Sequence, residues 1–295
     1  MAVYKSNYGR YRGALTPLWS RFLILPRYTF REVFKSRGFV AFFTLCFAAP
    51  FAGLLMIYLH HNLAALKFMD LPLDQLQQAL PINATFFRWG LNVQGRLCFL
   101  MTLFVAPALV APDLRNNGLA LYLSRPFTRS EYVLGRLTVL AGLLSLITWI
   151  PGLLLFLFQG YLEGAGWLAH NLSIAWALLM GSWVWIAVLS LLGLAVSAWV
   201  KWKPVARISL LILFFVPWAF GGVLNATLDT WWGWLVGIWP SINTIWLSLF
   251  GIPIDDSNFL GNPMPAWAAW LTLTACCLIC LGLLSRRVRA YEVIR

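Results

Sequence analysis

Charged side chains are scarce in this sequence, and acidic ones are the scarcest. Only 11% of the 295 residues are charged, and 10 Asp and Glu stand against 22 Lys and Arg. Soluble domains carry about 25% charged residues, so a soluble globular fold is excluded. With 61% hydrophobic residues and several runs near the roughly 20 residues that cross a bilayer, we expect an all-α polytopic membrane protein. The alternating pattern of a transmembrane barrel is absent.

The residues needed for two functions, ATP binding by a P-loop and ion-driven transport, are also missing. The sequence contains no G-x-x-x-x-G-K-[ST] motif, so the chain is not expected to bind ATP as P-loop proteins do. No Asp or Glu lies in the middle of an apolar run, so the buried carboxylates of proton- or sodium-driven carriers are missing. We find no catalytic constellation and expect no enzyme activity in this chain itself.

Histidine and cysteine leave one alternative open. Helical spacing brings Cys276 or Cys277 near Cys280 in the last apolar run, and His60 and His61 adjoin the first. Such thiols suit a soft metal such as Cu(I). Small polarizable residues also serve helix packing, so no metal site is predicted. A membrane-embedded metal-handling protein or enzyme that uses these residues is the alternative, and a structural assembly factor is a third interpretation.

The net charge of +12 comes from Lys and Arg in the connectors between apolar runs. This is the positive-inside pattern of membrane proteins, and it argues against nucleic-acid binding. Placing the basic connectors inside predicts both termini in the cytoplasm. A cytoplasmic arm at 1–38 then precedes a transmembrane domain at 39–295. Six spans are predicted, with a kink at Pro50 in the first: 39–59, 86–110, 132–158, 172–200, 208–224 and 266–284.

An amphipathic helix is predicted just before the first span. Its candidate interface residues are Arg27, Phe30, Arg31, Phe34 and Lys35. Basic amphipathic helices of this kind lie in the membrane interface, with their charges toward water and anionic headgroups. The helix would act as a membrane anchor, as a docking surface for a cytoplasmic partner, or as both.

The second span contains polar residues that would be costly to expose to lipid. Arg88 is placed at headgroup level, whereas Gln94 and Arg96 are candidate pathway residues that face a cavity or a partner helix. Between the fifth and sixth spans, the apolar segment 232–250 is interrupted by Gly237, Pro240, Ser241 and Asn243. A full crossing there would place the basic C-terminal tail outside. We therefore expect two short re-entrant helices on the outer side.

A polar, basic segment separates the second and third spans. Pro126 disfavours helix at the residue before it, so a short helix over about 114–124 should end there. Thr128 and Glu131 then have the spacing of a capping box, with Phe127 and Tyr132 placed as a hydrophobic staple at the start of the third span.

This segment, LRNNGLALYLSRPFTRSEYVLGR, resembles the permease subunits of the type-2 ABC transporter family. The specific part is a leucine-rich helix, then S-R-P-x-T/S-R, then Y-x-x-G-K/R, over about residues 113–136. Elsewhere the resemblance is in topology: the amphipathic helix, the second basic inner turn and the interrupted segment before the last span. Arg136 stands where many relatives have lysine.

The resemblance implies an exporter subunit of the bacterial inner (cytoplasmic) membrane. The helix at 114–124 would be a coupling helix seated on a separate dimeric P-loop ATPase. ATP and Mg²⁺ would bind that partner, and no cofactor would bind this chain. A second permease copy or a paralogue would complete the pathway among membrane lipids. Residues 201–207 would make a smaller ATPase contact through Lys201, Lys203 and Arg207. The implied coupling residues are Leu114, Arg115, Asn116, Asn117, Tyr122, Arg125, Pro126, Arg129 and Glu131.

Overall fold

A computed structural model describes residues 23–62, 81–111, 113, 128–200, 202–254 and 262–287. These residues form helices and connecting turns, with no β-strand among them. A 3₁₀ helix spans Trp232–Val236. The α-helices are α1 Ile24–Val33, α2 Arg37–Leu45, α3 Ala48–His61, α4 Ala84–Leu109, α5 Arg129–Ile147, α6 Trp149–Glu163, α7 Ala165–His170, α8 Leu172–Trp199, α9 Lys203–Leu228, α10 Ile238–Leu249 and α11 Ala266–Arg287.

Six helical stretches in the described ranges have the length and apolar composition of membrane spans, which confirms the predicted number and the all-α class. The fifth begins five residues before its predicted start, because Lys203 and Pro204 form its first turn. The six stretches are Arg37–His61, Ala84–Leu109, Ser130–Glu163, Leu172–Trp199, Lys203–Leu228 and Ala266–Arg287.

Proline explains the breaks in the first and third of these stretches. Pro50 has no N–H to donate to the carbonyl of Cys46, and the helix breaks between α2 and α3, as predicted. In the third stretch, Pro151 likewise leaves the carbonyl of Ile147 without its helical donor, and α5 gives way to α6 at Thr148. Each span therefore consists of two helices that can differ in direction.

Helix α8 is the centre of the bundle and packs against α4, α5, α9 and α11. Its fully buried Trp185 lies next to Trp246 of α10, with ring centroids 6.0 Å apart. By contrast, α2, α3, α9 and α11 expose many large apolar side chains along their lengths. Such surfaces are those expected to face lipid or another membrane helix.

The segment between the fifth and sixth spans is not a seventh span. Its longest helix, α10, has 12 residues, which is about 18 Å at 1.5 Å per residue. The segment breaks at Gly237, as predicted, but the prediction that Pro240, Ser241 and Asn243 also interrupt it is wrong, because all three lie inside α10. Pro240 lies in the first turn, where backbone N–H groups have no helical acceptor to lose.

Two glycines let this segment approach α9 backbone to backbone. A Cβ on Gly221 would lie 2.2 Å from the carbonyl oxygen of Gly233, which is too close for any other residue type. Asn225 completes the contact, since its Oδ1 accepts a 2.7 Å hydrogen bond from the N–H of Gly233. The 3₁₀ helix is therefore fixed against the C-terminal half of α9.

Candidate functional site

Most of the predicted coupling residues lie outside the described part of the chain: Leu114, Arg115, Asn116, Asn117, Tyr122, Arg125 and Pro126. Phe127 of the predicted staple and Lys201 also lie outside it. Arg129 begins α5. The remaining predicted site residues can be located, and they fall in three places: the end of the bundle that the sequence predicts to be inner, the contact between the first two spans, and a cavity beside α4.

The predicted capping box at the start of α5 is confirmed. The backbone N–H of Thr128 donates to Glu131 Oε2 over 2.6 Å, and the N–H of Glu131 donates to Thr128 Oγ1 over 3.3 Å. Both bonds satisfy N–H groups that a helix start leaves without acceptors. The capping box therefore fixes the start of α5 directly after the predicted coupling segment.

A buried polar cluster lies one turn further along α5. Arg136, 7% exposed, forms a salt bridge from Nη2 to the carboxylate of Asp113 and donates from Nη1 to Thr29 Oγ1 over 3.0 Å. The hydroxyl of Tyr132 donates to the same carboxylate over 2.8 Å. We call Thr29, Asp113, Tyr132 and Arg136 the inner junction. It joins α1, the chain just after α4, and α5.

The sequence alone did not indicate the inner junction as a unit. Thr29 lies 107 residues before Arg136, and Asp113 lies 23 residues before Arg136. No local sequence pattern connects residues so far apart. The available signal was an arginine followed by apolar residues at the start of a span. A charge in that place needs a counter-charge or strong hydrogen bonds.

The α1 residues divide between the two sides of that helix. Arg27 and Arg31 are exposed, whereas Leu25 and Thr29 are buried against α5. Phe30 is half-buried, and its ring lies next to Gly142 of α5. The helix ends at Val33, so Phe34 and Lys35 lie in the following turn, both exposed.

A groove of about 900 Å³ lies between α1, α2, α4, α5 and α9. Its walls include Asp113 and Arg136 of the inner junction, and Lys203 and Arg207 from the second basic turn. The guanidinium of Arg207 lies 5.5 Å from the ring centroid of Phe104. Three segments predicted to contact the same partner therefore meet around one groove.

The two candidate pathway residues of α4 are not together. Gln94 is 5% exposed and donates from Nε2 to the carbonyl oxygen of Cys46 over 3.2 Å. That carbonyl is the one that Pro50 leaves without a helical donor. Gln94 therefore stabilises the break in the first span. Its place in a pathway stays a prediction.

We expect Gln94→Leu to lower the free energy of unfolding by about 1–3 kcal/mol, because the buried carbonyl of Cys46 loses its donor. Gln94→Glu should lower the stability at least as much, because a carboxylate oxygen would then face the carbonyl oxygen of Cys46 and neither atom can donate. Chemical unfolding in mixed micelles measures the change. Asn62→Leu is a suitable control, because its exposed amide only caps the end of α3. Equal effects of the two leucine variants would contradict this role of Gln94.

Arg96, two residues along α4, is exposed and lines a separate cavity of about 450 Å³. Residues i and i+2 of a helix do not share a face, which explains the separation from Gln94. Arg88, at the start of α4, is part-buried and donates to Asn243 Oδ1 of α10 over 3.3 Å. It connects the second span to the segment before the sixth.

The histidines and cysteines that supported the alternative interpretation lie in two separate places. His61 Nε2 lies 3.4 Å from Glu163 Oε1, and Cys276 and Cys280 neighbour one another on α11. Within the described ranges, no group of three or more His, Cys, Asp or Glu side chains could hold a metal ion.

No protein-family model matches the chain, and no curated protein sequence matches it. Function must therefore be inferred from the residues and contacts described above.

Proposed function

We propose that this chain is the permease subunit of a type-2 ABC transporter, an exporter of the bacterial cytoplasmic membrane. A separate P-loop ATPase dimer binds ATP and Mg²⁺ and supplies the energy. Two permease subunits, identical or paralogous, form the pathway. Both termini are cytoplasmic, α1 lies in the membrane interface, and the 3₁₀ helix with α10 forms a re-entrant outer pair.

The observation that carries this proposal is the inner junction. A permease driven from outside needs a stiff connection between the segment that the ATPase moves and the helices that open the pathway. Here the two ends of the predicted coupling segment are both fixed to α5: Asp113 by the salt bridge to Arg136, and Thr128 by its capping bonds to Glu131. Thr29 adds α1 to the same unit. A push on residues 114–127 would therefore act on α5 directly.

The remaining support is the position of the charges. Basic residues lie at one end of the bundle, on α1, at the start of α9 and at the end of α11. Such a surface suits the cytoplasmic side of a membrane and a partner that docks there. A ligand shifts a conformational equilibrium only by the difference between its affinities for the two states. ATP would therefore move this chain by favouring the closed state of the partner dimer.

The test is copurification in mild detergent, with identification of partners and an assay of ATP hydrolysis. We expect a P-loop ATPase at about one copy per permease. Arg125→Ala or Pro126→Ala should leave the spans folded but uncouple ATP hydrolysis from transport. Arg88→Gln is the matched control, because Arg88 lies in the second span and contacts Asn243 of α10, outside the basic end of the bundle. A chain that purifies alone without ATPase activity would overturn the proposal.

A further inference from the structure

Arg96 lies where an arginine is most costly in a membrane. It is at the midpoint of the 26-residue helix α4, roughly 18 Å from either end at 1.5 Å per residue. Its side chain is exposed on the bundle surface and has no carboxylate within salt-bridge distance among the described residues. A charge at this depth does not face lipid; it faces a cavity or a partner.

The cavity beside Arg96 has almost entirely apolar and aromatic walls. Its volume of about 450 Å³ falls within the range of small-molecule sites, about 300–1,000 Å³. The guanidinium lies 5.7 Å from the ring centroid of Trp239. Phe99 and Phe214, also in the lining, stack on each other with centroids 4.2 Å apart. The other lining residues are Leu100, Leu211, Phe215 and Trp218. Arg96 is the only charged residue among the described lining.

Among the residues that the structure describes, nothing covers the edge of this cavity. Leu100, Leu211, Phe215 and Trp218 are 37–48% exposed, so the walls end at the bundle surface. A second copy placed over this face by a two-fold axis would bring another arginine toward Arg96, because such an interface is self-complementary. The negative charge that Arg96 requires would then come from a ligand between the subunits.

We propose that this cavity binds the anionic head group of an amphiphile, a carboxylate or a phosphate, with its apolar chain along the aromatic wall. This inference rests on the proposed function, in which the amphiphile is the cargo. Arg96 supplies charge-assisted hydrogen bonds, and Trp239 holds the guanidinium plane through a cation–π contact. The substrate class is thus a lipid-like anion.

The test is equilibrium binding of radiolabelled palmitate to the purified full-length chain in nanodiscs of zwitterionic lipid. We expect saturable binding that hexadecanol, its neutral counterpart, displaces poorly. Arg96→Gln should weaken binding roughly tenfold or more, as expected for loss of a hydrogen-bonded charge. Arg96→Lys should recover part of it. Arg88→Gln is the matched control, since Arg88 lies on the same helix outside the cavity and should bind as the unaltered chain does.

Two further measurements separate the source of the anion. Competition by dodecyl phosphate but not by anionic phospholipid in the nanodisc would indicate a single-chain cargo, and competition by the phospholipid would indicate a membrane lipid at the same site. Equal affinity for palmitate and hexadecanol, or unchanged binding by Arg96→Gln, would overturn the inference. Arg96-dependent binding in a chain that has no ATPase partner would support the binding site and overturn only the transporter proposal.

Discussion

Arg136→Met is expected to lower the free energy of unfolding by about 3 kcal/mol. Removing one partner of a buried ion pair costs about 3–5 kcal/mol, because the other charge stays buried and unpaired. We take the lower end since the Asp113 side chain keeps 17% exposure, against 8% for that of Arg136. Chemical unfolding in mixed micelles measures the loss.

A double variant separates stability from coupling. Arg136→Met with Asp113→Leu removes both charges, and apolar replacement of a buried pair is often neutral, so stability should largely return. If the inner junction also transmits movement, this stable variant should still bind the ATPase without stimulated hydrolysis or transport. A double variant as unstable as Arg136→Met would show that the unpaired carboxylate is not the cause. Full activity in a stable double variant would rule out a role in coupling.

Local sequence signals predicted the parts of this fold that depend on neighbours in the chain. The six apolar stretches follow from composition, and the bonds between Thr128 and Glu131 follow from a three-residue spacing. The break near Pro50 follows from one missing N–H. Each of these signals lies within a short stretch of the chain, which is why the sequence was sufficient to predict them.

The candidate site depended on long-range packing, so the sequence could not define it. Gln94 and Arg96 are both polar and lie at nearly the same depth, yet Gln94 donates to Cys46 and Arg96 lines an aromatic cavity. Only the positions of the neighbouring helices distinguish them. Thr29 gave no signal at all, because a threonine in a helix satisfies its hydroxyl locally, here on the carbonyl of Leu25.

Helices α4 and α8 pack closely around two indole rings. Trp246 is fully buried and donates from Nε1 to the carbonyl of Gly181 over 3.1 Å, while Trp185 donates to the carbonyl of Gly95 over 2.9 Å. A Cβ on Gly95 would lie 2.6 Å from Cη2 of Trp246. The outer edge of the Trp246 indole therefore leaves room only for glycine at position 95.

Trp246→Ala is accordingly expected to cost about 3–5 kcal/mol of folding free energy, through the cavity and the unsatisfied Gly181 carbonyl. Gly95→Ala alone should cost about 1–3 kcal/mol by overpacking. In a Trp246→Phe background the same change should cost less, because phenylalanine lacks the atom that the new methyl meets. The double-mutant cycle measures this coupling directly, at about 0.5–3 kcal/mol for residues in contact.

Gly90→Ala is the control for that cycle, because a Cβ at Gly90, on the same helix, would meet nothing within 4 Å. Alanine there should be neutral or stabilising by up to about 1 kcal/mol, since glycine is the poorer helix former. Additive effects of Gly95→Ala and Trp246→Phe would mean that the indole edge does not set the distance between α4 and α10. A clear coupling would show that one tryptophan fixes the helix carrying Arg96 against the helix carrying Trp239.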